Sequence, residues 1–264
     1  MQTSTSDGFT TITQIPFELD AGIAARARIG VIVLATDHTM EHEYRQVVNM
    51  PGVAFYESRI PNSPSVTPET LQKMASYITD RASLILPGMP LDVVAYGCTS
   101  ASMVIGEERV FDLIRKGRPE SAPTTPITAA FAAFETLGIQ RIGVLTPYRD
   151  DVNQIVRRYI EARGFSVPVF GSFNEEDDNR AARITTDSIR KALLQIGRHD
   201  QVDGVFLSCT SLRLTEIAQQ VENEVGKPVT SSNHALIWHS LRLAGVNDTI
   251  EGLGRLYRLS IAAS

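Results

Sequence analysis

Residues 93–102 read VVAYGCTSAS and residues 204–213 read GVFLSCTSLR. Each is a short apolar run that ends in Cys-Thr-Ser, and the two cysteines, Cys98 and Cys209, lie 111 positions apart. The echo extends outward in both directions. RIGVIVLAT begins at Arg28 and RIGVLTPY at Arg141, 113 positions later, while TPITAAFAAFETLGI, ending near Gly138, is matched by SSNHALIWHSLRLAGV, ending near Gly245. A period this long is far beyond solenoid repeats. It predicts an internal duplication: two similar α/β domains related by a pseudo-two-fold.

The elements between these landmarks alternate. Strands are expected over 28–35, 53–60 and 92–96 in the first half, with a loop over 61–68, Thr67 as an N-cap before Pro68, and a helix over 69–86. In the second half strands are expected over 141–145, 166–170 and 202–207, with helices over 150–163 and 179–196. The run RIGVIVLA has no polar alternation, as a strand covered on both faces requires. Strands alternating with helices give parallel sheets with crossover helices. The predicted organisation is a polar, Thr-rich N-terminal arm over 1–27, a first α/β domain over 28–126 plus 230–264, and a second over 127–229.

Composition narrows the function classes. The 264 residues are 43% apolar and 21% charged, as in an ordinary globular protein, and 25 Lys+Arg against 30 Asp+Glu give a formal charge of -5. That balance is not the basic footprint of a nucleic-acid binder. No apolar run approaches the ~18–20 residues that span a bilayer. The first twenty residues lack a basic segment followed by an apolar one, so the expected compartment is the cytoplasm, where Cys98 and Cys209 would be free thiols. Neither first strand is followed by a P-loop or G-x-G-x-x-G pattern, and there is no G-x-S-x-G elbow.

The two Cys-Thr-Ser triplets carry the chemistry. In parallel α/β sheets ligands collect where strand C-termini meet helix N-termini, and both cysteines fall at such junctions. The hydroxyls and N–H groups of the following Thr and Ser can hold a carboxylate, and a helix start lowers a thiol pKa toward neutrality. Two thiols facing each other across an interdomain cleft can remove a proton from one face of a carbon and return it on the other. Alternatively one thiolate adds to an activated double bond and is later eliminated. A single cysteine after a buried strand is usually core, but two at equivalent repeat positions are not well explained that way. A structural zinc site needs closely spaced ligands, and no CxxC occurs.

The GCTS and SCTS triplets, the RIGV strand, T-M-E at 39–41 and L-T-P-Y at 145–148 resemble the Asp/Glu racemase superfamily, and within it the maleate isomerase and arylmalonate decarboxylase branch, over roughly residues 28–255. The resemblance implies two pseudo-symmetric Rossmann-like domains with the active site in the cleft between them, no cofactor, no metal, and a homodimer or homotetramer. It implies that Cys98 is the nucleophile and Cys209 the partner acid or base. Tyr148 then binds a substrate carboxylate, Asn179 in DDNRAARIT binds substrate near the second thiol, and Thr99, Ser100, Thr210 and Ser211 cradle carboxylates. The similar decarboxylases keep only the second cysteine, so the presence of both disfavours decarboxylation.

One residue departs from the maleate isomerase pattern. Where those enzymes have S-S-N-T-T-M-E, residues 35–41 read A-T-D-H-T-M-E, placing Asp37 at the asparagine that donates to substrate. An ionised carboxylate only accepts hydrogen bonds; it repels a carboxylate and attracts an ammonium. The expectation is therefore racemase or epimerase chemistry on an amino-acid-like substrate. Members of this branch also occur in ectoine catabolism, where 2,4-diaminobutyrate derivatives are handled, which fits that charge. Maleate cis–trans isomerisation and a non-catalytic two-domain metabolite binder are the alternatives. The binder has no need of two reactive thiols.

The other candidates have ordinary readings beside them. His38 and His42 are spaced i,i+4 but in the order H-T-M-E-H, not that of a zinc protease, so His38 is expected to line the cleft and Glu41 to complement a helix dipole. His234, Trp238 and His239 read as packing residues, residues 175–178 as a solvated acidic loop, and Arg213 as either a carboxylate anchor or a surface residue.

Overall fold

The structure, a computed structural model, describes residues 2–63 and 67–262. Part of the loop expected over 61–68, residues 64–66, lies outside the described residues. The arm begins as an antiparallel hairpin, β1 (Gln2–Ser6) and β2 (Phe9–Thr13), turned at Asp7 and Gly8, both with positive φ. Asp-Gly is the pair that a tight hairpin turn with two left-handed residues demands. Phe9, Ile15, Phe17, Leu19 and Ile23 of the arm are exposed.

The body is α/β, with two four-stranded parallel sheets flanked by helices. The first contains β3 (Ala27–Leu34), β4 (Val53–Ile60), β5 (Val93–Tyr96) and β6 (Ala122–Thr124) in the order β4-β3-β5-β6. The second contains β7 (Arg141–Thr146), β8 (Ser166–Ser172), β9 (Gly204–Leu207) and β10 (Val229–Ser231) in the order β8-β7-β9-β10. The two orders are the same once the second set is numbered from its own first strand. The duplication read from the sequence is thus a duplication of topology.

Period-two alternation on β3 divides the first core. Ile29, Val31 and Val33 face a cluster with Tyr44 and Val47 of α1 (Met40–Val47), while Ile32 and Leu34 face a cluster built by α2 (Pro68–Lys73), α3 (Ile78–Ser83), α4 (Thr99–Ile105) and α5 (Glu107–Gly117). The helix α6 (Pro126–Leu137) serves both halves. Its Ala129 and Ala133 lie in the first of these clusters, and its Ile127, Phe131 and Phe134 lie in the core of the second sheet. That core also takes in α7 (Asp150–Glu161), α9 (Thr186–Gly197) and α10 (Ala218–Val225), with the short helix α8 (Asp178–Ala181) falling between α7 and α9 in the chain. The last helix, α11 (Ser232–Leu243), returns to pack on α6 and on β3, β5 and β6, and buries Trp238, His234 and His239.

Two expected helices are broken. The segment expected over 69–86 starts at Pro68 with Thr67 as its cap, then tightens to a 3-10 turn over Met74–Tyr77 before α3. The Ser76 hydroxyl donates back to the Lys73 carbonyl there, a side-chain bond that competes with the regular ladder. The segment expected over 179–196 is α8 followed by α9, because Thr185 accepts from the Ser188 N–H and caps a fresh start. Among the described residues no helix is long and apolar enough to cross a membrane.

Candidate active site

The loops that follow the inner strands meet between the two sheets. Thr36 and Asp37 follow β3, Cys98 follows β5, Tyr148 follows β7 and Cys209 follows β9, so each side chain sits at a strand C-terminus. Gly97 makes one of these approaches possible. A Cβ there would lie 2.6 Å from Met40 Sδ and 2.8 Å from the Ile32 carbonyl oxygen. Without a side chain, the end of β5 lies directly against β3 and α1 and delivers Cys98 as the N-cap of α4.

Hydrogen bonds across the interface hold the loops together. Thr39 Oγ1 donates to the Ser211 carbonyl at 2.8 Å, and Thr99 Oγ1 donates to Ser232 Oγ at 2.7 Å. Glu43, fully buried, accepts from the N–H groups of Leu214 (2.8 Å) and Thr215 (2.7 Å) through one oxygen and from Asn233 Nδ2 (2.9 Å) through the other. Asn233 Nδ2 also donates to the Thr210 carbonyl. This corrects one expectation: Cys209 does not open a helix. The chain turns after it and α10 starts only at Ala218, the intervening N–H groups of Leu214 and Thr215 being taken by Glu43.

Both thiols are buried, Cys98 at 4% and Cys209 at 3% exposure. Cys98 Sγ lies 3.8 Å from Ser100 Oγ, and Cys209 Sγ accepts from the Ser211 N–H at 3.4 Å. The Tyr148 hydroxyl is hydrogen-bonded to Cys209 and interacts electrostatically with Cys98 as well, so the two sulfurs share one neighbourhood. Burial pushes both thiols up to about 12, against the smaller favourable effect of the Ser100 and Ser211 hydrogen bonds, and the nearby Asp178 carboxylate pushes in the same direction. A thiol lowered toward neutrality by a helix start was the expectation. At Cys98 desolvation outweighs the helix start, at Cys209 there is no helix start to oppose it, and both resting thiols carry their protons at neutral pH.

Two carboxylates stand beside them. Asp37 is buried; its Oδ1 accepts from the N–H groups of Thr39 and Met40, both at 2.7 Å, at the start of α1. Its Oδ2 is buried with no hydrogen-bond partner. Burial, with a contribution from Asp178, raises the Asp37 carboxyl to about 7 in spite of those two N–H groups and of the Arg59 guanidinium, which donates to the Asp37 backbone carbonyl at 3.2 Å. Asp178 was missed in the sequence, where residues 175–178 read as a solvated loop. It is 7% exposed and bridges the halves, accepting from Thr36 Oγ1 and from Ser211 Oγ, each at 2.6 Å. Asn62 donates in turn to Thr36 Oγ1 at 2.7 Å. Its neighbour Asn179 is half-buried at the rim and meets His38 Nε2 at 2.9 Å. The cue was α8 itself: Asp177 is its cap, which turns Asp178 inward and Asn179 toward the edge.

Ser100, Thr210 and Ser211 are buried in the same neighbourhood, and the Thr99 hydroxyl is committed to Ser232, leaving Thr99 its backbone N–H. Among the described residues no group of three or more His, Cys, Asp or Glu side chains is placed to hold a metal ion. His42 meets Glu216 at 3.0 Å instead, and His234 is bonded to Thr230 and to the Leu253 carbonyl inside the core.

The family model described as arylmalonate decarboxylase matches residues 30–257. The chain belongs to the arylmalonate decarboxylase and maleate isomerase family. The family, part of the Asp/Glu racemase superfamily, comprises cofactor-independent isomerases and decarboxylases. The maleate isomerase of Alcaligenes faecalis is 25% identical over 243 residues, covering 87% of this chain and 95% of that protein. The arylmalonate decarboxylase of Bordetella bronchiseptica is 27% identical over 197 residues, covering 73% and 82%. The crystal structure of the maleate isomerase Iso from Pseudomonas putida S16 superimposes with a TM-score of 0.79 at 25% identity, covering 88% of this chain and 98% of that one.

Proposed function

We propose that this family member is an isomerase that uses Cys98 and Cys209 on opposite faces of a small carboxylic acid bearing an ammonium group, exchanging the proton on its α-carbon. The observation that carries the reading is the buried, unpartnered Oδ2 of Asp37, beside Asp178 and two protonated thiols. An ammonium group seated there gives the orphan oxygen a donor and offsets the carboxylate charge. It also lowers the adjacent thiols, because a nearby cation favours a thiolate. A second carboxylate in the same place does the reverse. At about 4 Å each like-charge pair costs roughly 4 kcal/mol at an effective dielectric of 20. Derivatives of 2,4-diaminobutyrate, which join an ammonium to a carboxylate, meet this requirement.

Once the bound cation has led one thiol to release its proton to solvent, that thiolate accepts the α-proton while the opposite thiol donates its own to the other face, which inverts the centre and leaves the pair with the same total of protons. Tyr148, Ser100, Thr210 and Ser211 are the groups assigned to the substrate carboxylate, and Asn179 to the rim where substrate passes. A second reading, maleate cis–trans isomerisation by thiolate addition, is favoured by the likeness to maleate isomerases together with the presence of both cysteines.

Proton NMR in deuterated water separates them. Loss of an α-proton signal from an amino acid, reduced at least 100-fold in Cys98→Ala and in Cys209→Ala, is the expected result. Conversion of the vinyl signal of maleate to that of fumarate overturns the Asp37 argument. Full activity in either cysteine variant overturns the two-thiol mechanism. No turnover of either substrate class favours a binding protein.

A further inference from the structure

The interdomain contact gathers a second set of charged groups. Outside the thiols and carboxylates lies a cavity of about 370 Å³ lined by His38, His42, Arg183 and Arg213 with Thr39 and Ala182. Each lining segment continues one that carries a site residue. His38 and Thr39 follow Asp37, Ala182 and Arg183 follow the helix that begins at Asp178, and Arg213 stands shortly after Cys209. The cavity is therefore lined by continuations of the segments that carry the site residues, and it presents two arginines where the site presents Asp37 and Asp178.

Its two guanidinium groups are held in place by carbonyls, not by carboxylates. Arg183 Nε donates to the Asn179 carbonyl at 3.1 Å, and one Arg213 amino group donates to the Ile184 carbonyl at 3.1 Å. The neighbouring Arg180, by contrast, is spent on Glu175. Arg213 Nε is buried and has no partner. Glu216 interacts electrostatically with Arg213, but its carboxylate is hydrogen-bonded to His42 at 3.0 Å and Gln46 at 3.3 Å. Two fixed cations with hydrogen-bonding capacity to spare, on a concave surface, form a receptor for an anion.

We propose that this cavity is a carboxylate-binding entry subsite, in which the carboxylate of an incoming substrate docks on Arg183 and Arg213 before the molecule moves inward. The acidic site makes such a station necessary: a carboxylate approaching Asp37 and Asp178 directly meets repulsion, and the two arginines offset it. The word entry rests on the reading of Cys98 and Cys209 as the catalytic pair; the anion site does not.

The test uses succinate as the probe, titrated calorimetrically at low ionic strength into wild type, Arg183→Gln, Arg213→Gln, Asp37→Asn and the Cys98→Ala/Cys209→Ala double variant. Wild type and the thiol-free variant are expected to bind alike, each arginine variant to bind about tenfold more weakly, and added salt to weaken wild-type binding. Arg183 is exposed, so its variant reports even if Arg213→Gln is unstable. The proposal is overturned if wild type does not bind succinate, or if both arginine variants bind within twofold of it. Binding that tightens in Asp37→Asn and ignores Arg183→Gln puts the anion at the thiols and overturns it too. Failure of the two-thiol reading shows separately, as solvent exchange surviving in the cysteine variants.

Discussion

Replacing Asp37 with Asn should stabilise the protein while removing the preference for an ammonium group proposed above. The carboxyl ionises near 7 in the folded chain and near 3.8 when exposed. Because the folded value is the higher one, the fold binds more protons than the unfolded chain between those limits, and stability falls as pH rises through that window. Above about pH 7 the ionised, buried carboxylate costs the fold on the order of 4 kcal/mol relative to its protonated form. Asn keeps an oxygen for the Thr39 and Met40 N–H groups and carries no charge, so it escapes that cost. The gap in unfolding free energy between Asp37→Asn and wild type should therefore widen by about 4 kcal/mol from pH 4 to pH 8, or of the order of 10 °C in Tm. Other buried acids, Glu43 and Glu222 among them, titrate in both proteins and drop out of the difference. Urea unfolding of both proteins at four pH values measures it. A gap that does not change with pH, or a variant less stable than wild type at pH 8, would refute the account of Asp37 as a carboxylate held for a ligand.

Glu43→Ala removes the acceptor for the Leu214, Thr215 and Asn233 donors and leaves them buried; a loss of about 3–5 kcal/mol in urea unfolding is expected, with Glu43→Gln retaining part of it. The same change frees the loop after Cys209, so kcat should fall even at temperatures where the variant is folded. Gly97→Ala drives a methyl group into Met40 and the Ile32 carbonyl; it should cost about 1–3 kcal/mol and displace Cys98, and an unchanged Tm with full activity would contradict that packing.

Much of this was legible because the duplication repeats both the hydrophobic pattern and the element order. RIGVIVLA fixes β3 as a strand buried on both faces, and the matched Cys-Thr-Ser triplets mark the ends of β5 and β9 without any knowledge of the fold. What stayed hidden depends on the meeting of the halves. Asp178 looks like one more residue of an acidic run until α8 turns it toward Thr36 and Ser211, 142 and 33 positions away along the chain. Glu43 looks like part of a charged helix face until Leu214 and Thr215 are seen to end on it. The thiol pKa values were misread for the same reason. A helix start is a local feature and argues for a low value, whereas the burial that raises both thiols comes from packing across the interface.

That burial gives the resting site a definite character. Two protonated thiols, an Asp37 oxygen with no donor and an Asp178 carboxylate are held together, and Arg59 offsets Asp37 only in part, its guanidinium donating to the Asp37 backbone carbonyl and not to the carboxylate. The unpartnered oxygen and the carboxylate charge are costly in a low-dielectric setting, whereas the neutral thiols are not, and the arrival of a further positive charge relieves both costs. An ammonium ion partners Asp37, offsets Asp178 and favours release of a thiol proton. The groups that make the empty site unfavourable are then those that make the occupied one reactive. A dicarboxylate supplies no such charge, and on the function proposed above selectivity lies less in the shape of the cleft than in the charge that the thiols require before they can ionise.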